Sequence, residues 1–339
     1  CCVAQGFADR EFVTGRRVQG HLGIGGLLML SRHAEILFWV GRYLQRAAQT
    51  GQLVAMTSMS QVEGHQSEDR WRQLLEVLYL DSAFRDHHDA FTSDAVLDFL
   101  VLDRSNDGSI ASSVSAARDG LRNVRDLVPL DLLEAVNVFH QTLGATTGSE
   151  LAASPAFFFD QINEQAQRVS GVIHDSMVRA DGYRFVAVGQ YLERAEMTLR
   201  TIDVHRRAGG DSVESWLRVL RSVSGLHAFI HSHNALAGAD DVVRFLVAGS
   251  EAPCCVQFGL NRCEEELTVA FSGMRQVTAL RALGRLRATI EFGDVPSVTD
   301  PALDEFIAAA EAGIRDVSGC LLSDLFSATN ADLHAYEVL

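Results

Sequence analysis

Glu193 and Glu196 stand three residues apart in Tyr191-Leu192-Glu193-Arg194-Ala195-Glu196. On a helix turning about 100° per residue they lie about 60° apart, with Gly189 and Arg200 on the same flank beside an apolar stripe. A carboxylate so placed can act as an acid or base, which makes Glu193 and Glu196 the candidate catalytic pair. The same spacing equally describes a solvated Glu196 to Arg200 pair, which stabilises a helix by roughly a few tenths of a kcal/mol. Gly189, repeated as Gly41, weakens a helix relative to alanine and so marks a point where another backbone or a ligand comes close.

Opposite charge gathers earlier in the chain. Arg118, Arg122 and Arg125 share one flank of a helix that opens at Ser109. With Arg46, Arg194 and Tyr191 they form a candidate substrate-binding set, in which guanidinium forks hold a carboxylate or phosphate while a glutamate acts on or holds an amine. A structural salt network accounts for the same residues, because partly buried charges need partners. Ser109, after Asn106-Asp107-Gly108, either offers backbone donors to an anion or simply caps its helix.

Cys255 aligns with Ser109, and a helix start lowers a thiol pKa, so it is either a nucleophile or an inert buried cysteine. His227 and His231, with His233 nearby, have a spacing that can place two imidazoles on one metal, or form a polar helix edge. No third ligand signature and no Glu-x-x-His motif accompanies them, so neither a metal nor another cofactor is expected. The phosphate loop, the dinucleotide fingerprint and G-x-S-x-G are missing as well.

Helices must position these groups, and the chain writes them twice. Gly41-Arg42-Tyr43-Leu44-Gln45-Arg46-Ala47 recurs 148 residues later as Gly189-Gln190-Tyr191-Leu192-Glu193-Arg194-Ala195, with five of seven positions identical. Leu37, Val40, Leu44 and Ala47 in one copy, and Phe185, Val188, Leu192 and Ala195 in the other, repeat at steps of three and four, the mark of a buried helical stripe. Trp71 with Ala83-Phe84 is echoed by Trp216 with Ala228-Phe229, and Asp94 to Val101 by Asp240 to Val247, at offsets of 145 and 146. Further helices are expected over 130–143, 153–178, 211–235, 273–288 and 301–328, with no series of strands. The fold class is therefore all-α: a tandem-duplicated helical bundle whose two pseudo-symmetric halves, 29–178 and 179–330, pack together, Tyr43 corresponding to Tyr191. Residues 1–28 read as a disordered or non-native extension and 331–339 as a tail.

Composition narrows the function classes. A hydrophobic share of 47% supports a sizeable core, and a net charge of −15 argues against nucleic acid or an anionic membrane as partner. The longest apolar candidate, Leu22 to Leu30, is too short for a membrane span and is interrupted by glycine. The six cysteines lack a CxxC pair and the spacing of a secreted framework, which fits a reducing cytoplasm. All five prolines fall between periodic stretches, leaving room for long helices.

Met29-Leu30-Ser31-Arg32 followed by Gly41 to Arg46 resembles the opening of the Alpha-E family of bacteria, whose name reflects helices with a recurring Glu-Arg signature. Tyr191 to Glu196 resembles the second signature. Similarity continues through Asn106 to Ile110, Ala116-Ala117-Arg118, Val124-Arg125-Asp126 and Glu134 to Asn137, covering about residues 29 to 330. The resemblance implies an ATP-grasp ligase and a transglutaminase-like peptidase as partners, and a peptide or amino-acyl substrate, since members occur beside or fused to such enzymes. Two functions are compatible with it. One is an accessory or substrate-presenting component of ATP-grasp-dependent peptide or amide ligation or peptide processing. The other is a stand-alone enzyme with a Glu acid/base and an Arg anion clamp. In the first signature Gln45 and Ala48 stand where the second has Glu193 and Glu196, so two symmetric acidic sites are not available.

Overall fold

The computed structural model describes residues 24–59, 67–209, 212–233, 237–272 and 277–336, all of them in helices or the connections between helices. The first series is α1 (Ile24–Met59), α2 (Ser67–Val77), α3 (Asp81–Arg85), α4 (Ser93–Val101), α5 (Ile110–Asn123), α6 (Leu130–Ala145), α7 (Gly148–Ala153) and α8 (Pro155–Ser176). The second is α9 (Asp181–Arg207), α10 (Val213–Ser222), α11 (Leu226–Ser232), α12 (Ala239–Ala248), α13 (Val256–Ala270), α14 (Thr278–Phe292) and α15 (Ala302–Tyr336). The protein is all-α: no strand occurs among the described residues.

Local chemistry sets these boundaries. The side chains of Thr92, Ser109 and Ser212 accept from the backbone N–H groups of Ala95, Ser112 and Ser215 and so start α4, α5 and α10. Pro155 occupies the first turn of α8, where its missing N–H is not needed. The continuous helix expected over 211–235 is interrupted. Ser224 has φ 58°, and the Gly225 N–H bonds back to the Leu220 carbonyl at 2.7 Å, a left-handed stop that ends α10. Tyr79, with φ 56°, ends α2 the same way, the Leu80 N–H bonding to the Leu75 carbonyl at 2.8 Å.

Of the residues read as a terminal extension, 1–23 lie outside the described residues and 24–28 begin α1. Of the tail, 331–336 belong to α15 and 337–339 lie outside the description.

Helices α1 and α9 make the most extensive contact of any pair and form the centre of the molecule. Around them α1 meets α5, α8 and α15, while α9 meets α13, α15 and α2. The two helices approach closely because glycine lies at both contact points. A Cβ on Gly41 would overlap the Val186 carbonyl oxygen, and one on Gly189 would overlap the Phe38 carbonyl oxygen. Gly41 and Gly189, like Phe38 and Val186, are 148 residues apart, so the contact is reciprocal.

Other local geometries recur at the offsets seen in the sequence. Phe84 stacks on His88 and meets Phe99 edge-on, with ring centroids 4.5 and 5.2 Å apart. Phe229 does the same with His233 and Phe245 at 4.3 and 5.3 Å. Trp71 and Trp216 are both fully buried. Among the described residues no helix is long and apolar enough to cross a membrane.

Candidate functional site

The α1–α9 crossing carries charge on one flank. Glu193 and Glu196 project from α9 and are 2% and 4% exposed, so bulk water does not stabilise their charges. Arginines do. Arg46 donates from Nε and Nη2 to the two carboxylate oxygens of Glu193, at 2.6 and 3.2 Å, in a two-pronged pair. Arg42 Nη2 donates to Glu196 at 2.7 Å, and its Nε lies 2.5 Å from Glu193 without the alignment of a hydrogen bond. Arg200, one turn along α9, closes on the other oxygen of Glu196. Burial alone raises the Glu196 pKa, but Arg200 and Arg42 outweigh it and hold the carboxyl below its ordinary value.

The network extends outward: Arg200 lies 4.3 Å from the centroid of the Tyr79 ring, whose hydroxyl donates to Glu311 of α15 at 2.9 Å. Burial pushes the Glu311 carboxyl above its usual value. Breaking a buried pair of this kind costs about 3–5 kcal/mol, since the abandoned partner stays charged and dry.

The opposite flank uses the equivalent positions differently. Arg194, equivalent to Arg46, donates from Nη2 to Gln45 Oε1 at 3.0 Å, and among the described residues no carboxylate lies within ion-pairing distance. Burial lowers its pKa. Gln52, equivalent to Arg200, donates to the Ser224 hydroxyl at 2.6 Å, and Ser224 is the counterpart of Tyr79. Ala48 and Gln49 take the places of Glu196 and Met197. Beside them lies a cavity of about 330 Å³, lined on its far side by Asn163, Gln167 and Ser170 of α8 and by Cys254. The Gln49 Oε1 is buried with no hydrogen-bond donor among the described residues.

The other expected residues fall into separate places. Arg118, Arg122 and Arg125 line one shallow hollow of about 720 Å³ with Leu130, Leu133 and Asn137, and they do not reach Glu193 or Glu196. That corrects the expectation of an Arg–Glu cleft across the halves. Helix α5 buries Val114, Ala117 and Leu121, so the next residues, Arg118 and Arg122, turn outward. Arg118 instead donates to Asn137 at 2.6 Å. Ser109 is a buried cap for α5.

Tyr191 meets Phe258 of α13 edge-on at 6.0 Å. Cys255 sits at the start of α13 but is buried, and both its hydrogen bond with Cys254 and burial push its thiol upward, the wrong direction for a nucleophile. His227 and His231 are exposed with rings 6.4 Å apart, and no group of three metal-ligating side chains occurs among the described residues.

Arg42 was absent from the expected set, although it sits in the repeated Gly41-Arg42-Tyr43 segment. A signal existed for the cavity too: Gln45, Gln49 and Gln52 follow steps of four and three, placing three amides on one face of α1.

The Alpha-E family, described as a predicted alpha-helical domain with a conserved ER motif, matches residues 29–326, and the chain belongs to it. Glu193-Arg194 lies within that span, its glutamate on the charged flank and its arginine on the neutral one. No curated protein and no solved structure matches the chain.

Proposed function

We propose that this chain is an accessory, substrate-presenting component of an ATP-grasp-dependent peptide or amide ligation or peptide-processing system in the cytoplasm. The observation that carries the choice between an accessory and an enzyme is the state of Glu193 and Glu196. A general acid or base must meet the proton it transfers. Both carboxylates are instead buried and saturated by Arg42, Arg46 and Arg200. This supports reading the pair as a rigid strut that fixes α1 against α9. The ligase and the transglutaminase-like peptidase come from the family resemblance, and the two halves are read as pseudo-twofold copies of one unit.

The test is co-purification with a cognate ATP-grasp ligase, followed by ATP consumption and product analysis with and without this chain. The reading expects a complex at micromolar concentration and a changed rate or product. Turnover of a peptide or amino-acyl substrate by the isolated chain, or identical ligation in its absence with no complex formed, would overturn it.

A further inference from the structure

We propose that the cavity beside Arg194 binds the carboxylate end of a short peptide. A guanidinium withdrawn from water and left without a carboxylate is unfavourable unless something else completes it. Arg194 is partly buried, and among the described residues no carboxylate lies within ion-pairing distance of it. It donates to the neutral Gln45 and lines a cavity walled by amides. A carboxylate matches the fork of an arginine and carries a single negative charge, which one arginine balances; a phosphate dianion needs more positive charge than this wall supplies.

Gln52 lines the same cavity; its amide nitrogen is engaged by Ser224, which leaves its amide oxygen to accept an N–H. A group offering a carboxylate and, next to it, an N–H is the last residue of a peptide chain. Asn163 and Gln167 of α8 add amides able to pair with the preceding peptide unit, and about 330 Å³ is room for a ligand of that size. Among the described residues no acid lines the wall, so an ammonium group is not favoured there.

This inference deepens the substrate-presenting reading and rests on it only for the biological use of the site; binding itself is measured on the full-length chain without any ligase. The probes are alanyl-alanine, its C-terminal amide, and inorganic phosphate, titrated by calorimetry or by chemical-shift changes. Alanyl-alanine is expected to bind, with the amide and phosphate at least tenfold weaker. Arg194→Gln is expected to weaken alanyl-alanine binding at least tenfold while remaining folded, and Arg194→Lys to lie between. Gln52→Leu, which removes this acceptor, is expected to weaken binding while the chain remains folded. The proposal is overturned if alanyl-alanine fails to bind at millimolar concentration, if acid and amide bind alike, if phosphate binds more tightly, or if folded Arg194→Gln binds as the unaltered chain does. A loss of ligase stimulation with peptide binding intact would count against the functional reading and leave the site standing.

Discussion

On one flank of the α1–α9 crossing, three arginines close over two glutamates; on the other, one arginine faces glutamines and an open cavity. Two local backbone features are shared by both sides. Gly41 and Gly189 admit the partner backbone at reciprocal points, and α2 and α10 end in the same left-handed stop. The difference lies in a few side chains: Glu193, Glu196 and Arg200 on one flank, Gln45, Ala48 and Gln52 on the other. Long paired charges fill the first flank with bonds inside the protein. Neutral groups leave the second with volume, an unbalanced guanidinium and amides along the wall, which are resources for a ligand. The two flanks thus divide into a part that holds and a part that can receive.

The largest difference between the flanks is expected at the buried arginine. Arg42→Met should lower the unfolding free energy by about 3–5 kcal/mol, because Glu193 and Glu196 lose a shared cation. Gln190→Met at the equivalent position should cost less than about 1.5 kcal/mol, as a volume-conserving change. Urea unfolding of both measures this, and equal losses would break the comparison. Next come the glycines, where the flanks should agree. Gly41→Ala and Gly189→Ala each push a methyl group into a backbone carbonyl and should each cost about 3 kcal/mol. A large cost at one glycine alone would contradict the reciprocal contact.

A smaller effect concerns pH. His205 on α9 packs edge-on to Trp216 at 4.7 Å and pairs with Ser215, and burial first, then Arg218, lowers its pKa to about 4. The folded state therefore binds fewer protons than the unfolded chain between about pH 6.5 and 4, so stability falls on acidification through that window. The loss should be about 1–2 kcal/mol after allowance for screening. Thr57, the equivalent residue on α1, merely donates to the Leu53 carbonyl and has no such dependence. His205→Gln should flatten the pH profile in thermal melts; an unchanged slope would assign the loss elsewhere.

Much of this framework was legible from periodicity. Stripes such as Leu37, Val40 and Leu44 announced buried helices, and the paired glycines announced a close approach, because both signals are local. The Glu196 to Arg200 pair was legible for the same reason, being one turn of one helix. Arg42 was not, since its partners lie on another helix and depend on the angle at which α1 crosses α9. The separation of Arg118 and Arg122 from the glutamates was hidden for a related reason: shared flanks within a helix do not say which neighbour that flank faces. The break at Ser224 escaped because serine carries no strong signal for a left-handed conformation.

The central claim, that one flank holds the fold and the other receives a ligand, is tested most directly by comparing Glu193→Gln with Arg194→Gln, adjacent residues that face opposite flanks. Unfolding free energy and alanyl-alanine affinity are measured on both, with binding read under conditions where each variant is folded. The account predicts that Glu193→Gln loses about 3 kcal/mol of stability and retains binding. Arg194→Gln should change stability by less than about 1 kcal/mol and lose at least tenfold in affinity, because it removes an unbalanced charge rather than a paired one. A stability loss at Arg194 as large as that at Glu193, or a loss of affinity in folded Glu193→Gln equal to that in Arg194→Gln, would contradict it.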